Sequence, residues 1–223
     1  MTLEQRVVMI SGAGSGLGEA AAMMIAKQGA SVVLCGRRKE RVDRVAQAII
    51  EAGGHATSSK VDVSEEQQIT QWIAETIQQL GRIDVLINNA AVVEIGTLSD
   101  TKLEDWDYQI KNNLRSVFLL TQACLPIMRK QRYGRIINIT SSLADNGAGG
   151  YAAYGASKAA VEALTRTAAE EEREHNILVN SFNPGTIRSA MHATGQSPYN
   201  VVPQLIRLAT LADGGPSGQI VHA

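Results

Sequence analysis

The sequence predicts an α/β fold: a doubly wound parallel sheet of about seven strands with helices on both faces, in one domain over residues 1–223. Three observations carry that prediction. Short apolar runs alternate with helical spacings along nearly the whole chain, as expected where parallel strands are covered on both faces. The glycine-rich segment Ser11 to Gly18 sits between the first apolar run and the first helical stretch. The length, 223 residues, suffices for one sizeable core and is short for two.

In order along the chain, Val7-Val8-Met9-Ile10 reads as a buried strand and Glu19 to Gln28, rich in alanine and methionine, as a helix. Ser31 to Leu34 is a short strand closed by Gly36. Arg38 to Ala52 places Val42, Val45, Ala46 and Ile49 at helical spacing, and Gly53-Gly54 stops it. Thr57 to Val61 is a further strand. Glu65 to Leu80 is an amphipathic helix through Ile69, Trp72, Ile73 and Ile77, with Ser64 and Gln67 as its capping pair and Gly81 as its end. Val85-Leu86-Ile87 is a buried strand. Leu103 to Lys130 is a long helical stretch, either continuous or interrupted, in which Pro126 bends the helix or removes one hydrogen bond. Arg135 to Ile139 is a strand, and Tyr151 to His175 an alanine-rich helix whose run Glu170 to Glu174 reads as a solvated face. Leu178 to Phe182 is a strand ending at Asn183-Pro184-Gly185. Val201 to Leu211 is the last helix and Gln219 to His222 the last strand. Strands so separated require right-handed crossovers and one parallel sheet.

Composition excludes several function classes. The net charge is −1, with no basic stripe for nucleic acid and no lysine block for an anionic membrane. No apolar run approaches membrane-spanning length. The opening residues, Met1 to Arg6, run straight into a strand without a leader pattern, so the chain reads as cytoplasmic. Cys35 and Cys124 stand singly and read as buried thiols. His55, His175, His192 and His222 lack metal-ligand spacing, and no metal is expected.

The segment Gly12, Gly14, Ser15, Gly16, Leu17, Gly18, between a strand and a helix, is suited to a pyrophosphate. Gly12 permits the tight turn, Gly16 lets the backbone approach the phosphates, and Gly18 lets the helix pack on the strand. The helix N-terminus adds unpaired N–H groups and partial positive charge. In such a fold the second strand ends beside the adenosine ribose, where an acid would bond the 2′-hydroxyl of NAD. Here the residues are Cys35-Gly36-Arg37-Arg38, with no acid. Guanidinium groups match a 2′-phosphate, so the reading is NADP(H) in preference to NAD(H), with Arg37 the better placed of the two. Asp62-Val63, after the third strand, sets a carboxylate either by the adenine amino group or in a turn.

Tyr154 and Lys158 share a helix face at four-residue spacing. Ser141 and Ser142, Asn88 to Ala91, and Asn183 to Thr186 all follow strands, at the sheet edge where open α/β folds bind ligands. With these residues in order, the chain resembles the short-chain dehydrogenase/reductase family, in its compact single-domain branch with a Rossmann-type sheet. The resemblance rests on Gly12, Gly16 and Gly18, then Asn88-Asn89-Ala90, Asn113-Leu114, Ser141 thirteen residues before Tyr154, Lys158, and Pro184-Gly185 with Ile187 and Met191 behind. It implies that Tyr154 is the acid/base at the substrate oxygen. Lys158 would lower the phenol pKa together with oxidised nicotinamide, and would bond the nicotinamide ribose. Ser141 would orient the carbonyl and stabilise developing charge, and Asn113 would support a water leading from Lys158 to solvent. Asn112 and Ser142 compete on sequence alone. Gly185, Thr186 and Ile187 would meet the carboxamide end of the nicotinamide, Asn89 would hold strand ends near the adenosine side, and Ala90 and Pro184 would join the cofactor contacts.

The chain departs from the family pattern in three ways. Ala91 replaces a commoner glycine, Ser189 stands where threonine is usual, and the segment from Thr186 to about Pro203 is short, with little chain after the last strand. A shorter lid implies an open or compact substrate site. Leu143, Val93, Ile95, Tyr151, Met191, His192 and Tyr199 are candidate pocket residues, mostly apolar. The alanines Ala152, Ala153, Ala156, Ala159, Ala160 and Ala163 permit close helix approach and, with the family's habit, imply a homodimer or homotetramer. The expected activity is reversible reduction of a small carbonyl substrate to a secondary alcohol. The alternatives are an NAD-linked alcohol dehydrogenase, which Gly36 and Arg37 argue against, and a non-catalytic NADP-binding sensor, which typically loses the tyrosine or lysine that stand here.

Overall fold

A computed structural model describes residues 2–189 and 193–223. Its elements are β1 (Val7–Ser11), α1 (Gly16–Ala26), β2 (Ser31–Gly36), α2 (Lys39–Glu51), β3 (His55–Lys60), α3 (Glu66–Leu80), β4 (Val85–Asn88), α4 (Leu103–Ile110), α5 (Ser116–Gln131), β5 (Gly134–Ile139), α6 (Ala152–Glu171), β6 (Ile177–Asn183), α7 (Pro198–Ala209) and β7 (Ile220–His222). All seven strands are parallel, in the order β3-β2-β1-β4-β5-β6-β7. The chain therefore builds outward from β1 in one direction and then, from β4, in the other. The carboxyl ends of β1 and β4 flank the point of reversal, where a crevice opens between diverging crossovers.

Side-chain alternation along the strands sorts the core into two layers. Val8 and Ile10, Leu34, Ile87, Ile137 and Phe182 pack with α1, α2 and α7. Val7 and Met9, Val33, Leu86, Ile136 and Val179 pack with α3, α5 and α6. The inner strands are thus covered on both faces and can be apolar at every position, whereas the edge strands β3 and β7 are partly exposed. The apolar stripes of α2 and α3 fall where the sequence spacing puts them, at Val42, Val45, Ala46 and Ile49, and at Ile69, Trp72 and Ile73. Gly81 closes α3 in the left-handed conformation, φ +73°.

Two expectations need correction, and a third gains detail. Ser64 does not cap α3: Glu65 takes the N-cap position, the Ser64 hydroxyl turns to Glu65 Oε1, and Gln68, not Gln67, reaches back to the Asp62 N–H at 2.8 Å. The long helical stretch runs unbroken from Leu103 to Gln131, with Pro126 inside α5, and gains a detail upstream of the proline. A π turn, Lys111–Arg115, separates α4 from α5. Polar side chains favour the wider turn there: Asn112 Nδ2 donates to the Tyr108 carbonyl and Ser116 Oγ to the Asn112 carbonyl, adding bonds beside the helical ladder. Finally, the acidic run near the end of α6 is not wholly solvated. Glu172 is fully buried and accepts a two-pronged bond from Arg129 on α5.

Candidate active site

The crevice at the carboxyl edge encloses about 670 Å³. Its first wall is the turn from β1 into α1. Gly12 and Gly16 have φ of +67° and +59°, and a Cβ on Gly12 would lie 2.8 Å from the Ala90 Cα. A Cβ on Gly18 would lie 2.5 Å from the Gly12 carbonyl oxygen and 2.6 Å from Asn89 Nδ2. Gly18 thus protects the turn and its contact with Asn89, and does not itself line the crevice, whereas Gly12, Gly14, Ser15, Gly16 and Leu17 do. Ser15 makes no side-chain cap, so the first N–H groups of α1 stay free for an acceptor in the crevice. Asn89 Nδ2 donates to the carbonyls of Ser11 and Gly12, both at 3.0 Å, and joins the ends of β1 and β4. The buried Ser11 hydroxyl accepts from the N–H groups of Asn89 and Ala90.

At one end the lining comprises Gly36, Arg37, Arg38, Arg41, Val42, Val61 and Val63. Arg37 donates to Tyr108 Oη at 2.7 Å. Asp62 lies outside the lining; its carboxylate accepts from the Ser64 N–H at 2.9 Å, the turn arrangement of the two that the sequence allowed. Arg41, one helical turn beyond Arg37, escaped the sequence reading, although the spacing alone could have found it. Ser11 carried no such signal, because a serine closing a strand is ordinary.

At the other end, Ser141 just beyond β5 and Tyr154 and Lys158 on α6 converge with Pro184, Gly185, Thr186 and Ile187 beyond β6. The Ser141 hydroxyl accepts from the Leu143 N–H at 3.2 Å and faces the Tyr154 phenol closely enough to lower its pKa. The buried Lys158 ammonium donates to the Ile139 carbonyl at 2.8 Å and lies 5.6 Å from the centre of the Tyr154 ring. Burial pushes Lys158 down to about 8. Burial also raises the Tyr154 pKa, against a smaller lowering by Ser141. The lowered phenol expected beside Lys158 is therefore not a property of the chain by itself: withdrawing the phenol from water outweighs the hydroxyl's help.

Asn113 is fully buried outside the crevice. Its Oδ1 accepts from the Val92 N–H at 2.8 Å, and its Nδ2 donates to the Val92 carbonyl at 2.9 Å and to Ser157 Oγ at 3.3 Å. Its amide thus ties the chain after β4 to α6 beside Lys158. Asn112, its competitor, does line the crevice. Among the pocket candidates, Val93, Leu143 and Tyr151 line it. Ile95 and Tyr199 do not: they are 69% and 49% exposed, Ile95 on the loop after β4 and Tyr199 in the first turn of α7, whose inner face is occupied by Val201, Val202 and Leu205. Met191 and His192 lie outside the described residues. Ala91 and Ser189 both line the crevice.

This donor set fits a nicotinamide dinucleotide: N–H groups at a tight turn, cations at one end, and a phenol, an ammonium and a hydroxyl at the other. The fold and site define a dinucleotide-dependent oxidoreductase class. The short chain dehydrogenase family model matches residues 6–200. The chain is 39% identical over 191 residues to a 3-oxoacyl-(acyl-carrier-protein) reductase FabG of Thermotoga maritima, covering 86% of this chain and 78% of that one. It is 35% identical over 189 residues to a cyclopentanol dehydrogenase of Comamonas testosteroni, covering 85% and 76%. The fold matches a levodione reductase crystal structure with a TM-score of 0.94 at 27% identity, covering 99% of this chain and 96% of that one. The chain belongs to the short-chain dehydrogenase family, and is an oxidoreductase of that family with a nicotinamide cofactor.

Proposed function

We propose that this protein reduces a small, largely apolar ketone to a secondary alcohol, reversibly, with NADPH in preference to NADH. The observation that carries this reading is the meeting of Ser141, Tyr154 and Lys158 at one end of a crevice whose other end presents Arg37, Arg38 and Arg41. The cofactor supplies the hydride; the chain handles the proton and the orientation. Tyr154 gives its proton to the substrate oxygen, and a phenol kept protonated by burial suits the direction of reduction. Ser141 holds that oxygen and the phenol together. Lys158 supplies positive charge beside the phenol, and the proton that Tyr154 gives up is replaced from solvent in the crevice. Asn113 acts by position, fixing Val92 and α6 around Lys158.

Cofactor preference follows from charge. Gly36 leaves room at the ribose and, among the described residues, no carboxylate lines that end, so a 2′-phosphate meets the arginines there. Val63 packs at the adenine and Asp62 holds the turn that carries it. Val93, Leu143, Tyr151 and Ile187 give the substrate end an apolar lining. The names of the two sequence relatives, a ketoacyl reductase and a cyclic-alcohol dehydrogenase, bracket the same carbonyl–alcohol chemistry. Exposed Ala156 and Ala163 on α6, with Phe118 on α5, offer a small-residue face for a homodimer or homotetramer, and the protein is read as cytoplasmic. Among the described residues, no helix is long and apolar enough to cross a membrane.

The test is a panel of ketones, diketones and quinones followed by NADPH absorbance and repeated with NADH. Turnover of neutral ketones with NADPH well above NADH is the expected result. NADH turnover equal to or faster than NADPH turnover overturns the cofactor assignment, and cofactor binding without turnover of any carbonyl favours a sensor.

A further inference from the structure

Arg37 leaves β2 directly after Gly36 and, among the described residues, is the only one of the three crevice arginines whose guanidinium has a partner. Arg38 and Arg41 make no side-chain hydrogen bond or ion pair among the described residues. Arg37 Nη1 donates to Tyr108 Oη at 2.7 Å, and its guanidinium carbon lies 5.8 Å from the centre of the Tyr108 ring. Tyr108 comes from α4 and lies outside the crevice lining, so the bond joins the end of β2 to α4 beside the crevice.

Tyr108 is itself held. Its carbonyl accepts from Asn112 Nδ2 at 2.8 Å, the bond that accompanies the π turn. Lys111 Nζ bonds Glu65 Oε1 at 2.7 Å, and Arg115 Nη1 donates to the Ser64 carbonyl at 3.3 Å. Ser64 and Glu65 follow Val63, which lines the same end of the crevice as Arg37. Tyr108, Lys111 and Arg115, at spacings of three and four, therefore form one face that joins the end of β2 to the β3–α3 connection. The chemistry of the partner matters as much as its placement. A carboxylate there would orient Arg37 and cancel its charge; a phenol oxygen orients it and leaves the charge available. An arginine already fixed has less rotamer freedom to lose when an anion binds.

We propose that Tyr108 is a positioning residue for cofactor specificity: it holds Arg37 ready for the 2′-phosphate, and thereby strengthens NADPH binding without touching NADH binding. This rests on the NADPH reading above. Dissociation constants of NADPH and NADH, measured by cofactor fluorescence for the wild type, Arg37→Ala, Tyr108→Phe and the double variant, test it. Tyr108→Phe keeps the ring and removes only the hydroxyl. The expected result is NADPH binding weakened roughly three- to tenfold, from the net worth of one hydrogen bond, with NADH binding unchanged. Arg37→Ala should weaken NADPH binding further, and Tyr108→Phe should add nothing in that background. Unchanged or tighter NADPH binding by Tyr108→Phe overturns the proposal. So does an equal loss for NADH, or a loss that persists without Arg37. Selective loss by Arg37→Ala beside a silent Tyr108→Phe removes only the role of Tyr108. Equal loss of both cofactors by Arg37→Ala removes the NADPH reading of Arg37 as well.

Discussion

Lys158 carries a stability cost at a single position. Its ammonium is buried, has the Ile139 carbonyl as its acceptor, and titrates near 8 where a free lysine titrates at 10.5. Because the folded pKa is depressed, the native state binds fewer protons than the unfolded state between about 8 and 10.5. Below pH 8 the charged lysine costs stability, and that cost is relieved as pH rises through the window. The unfolding free energy of the wild type should therefore gain on that of Lys158→Met between pH 8 and 10.5, by an amount on the order of 3 kcal/mol. Denaturant titrations at intervals across that range measure it; groups that titrate alike in both proteins cancel in the difference. A flat difference would mean that Lys158 keeps its ordinary pKa in the folded protein. Spacing made Lys158 legible in the sequence beside Tyr154, but spacing could not reveal the balance of burial over charge that sets either pKa. The same holds for Asn113: its place beside Leu114 was visible in the sequence, while the saturation of its amide by Val92 and Ser157 needed the fold.

At the scale of elements, the glycine turn is the most constrained piece of backbone. Gly18→Ala introduces a methyl 2.5 Å from the Gly12 carbonyl and 2.6 Å from Asn89 Nδ2, so the turn or the Asn89 bridge must move. Overpacking of this kind costs roughly 1–3 kcal/mol. The expected outcome is a lower midpoint of thermal unfolding together with weaker dinucleotide binding, because the displaced groups shape the phosphate wall. Binding and melting both at the wild-type level would show that the turn has room for the methyl. This element was legible in the sequence because glycines set between an apolar run and a helix mark a backbone that side chains would obstruct. The π turn between α4 and α5 was legible only as an interruption without a place. Asn112 and Ser116 bond carbonyls four residues back in the same helix, whereas the Val92 partner of Asn113 becomes visible only once the fold is in place. Proline was the conspicuous breaker in that stretch, yet Pro126 is accommodated inside α5.

Across the whole molecule, strand order brings distant segments to one edge. The carboxyl ends of β1, β2, β4, β5 and β6 deliver the glycine turn, the arginines, Asn89, Ser141 and Gly185 to a single crevice. Alternating strand and helix signals made this architecture legible, since parallel crossovers leave few topologies open. The rim was less legible. Ile95 and Tyr199 follow the apolar pattern of pocket residues but face solvent, because exposure at a rim depends on loop path and not on periodicity. The central claim is a division of labour between the two ends of the crevice, one binding the dinucleotide and the other moving the proton. Tyr154→Phe tests it most directly, with NADPH affinity and ketone-dependent NADPH oxidation measured on the same preparation. The account predicts affinity within a few-fold of the wild type and turnover lower by about 10²–10⁴, the usual contribution of a positioned acid/base. Turnover that survives the loss of the phenol hydroxyl would contradict it.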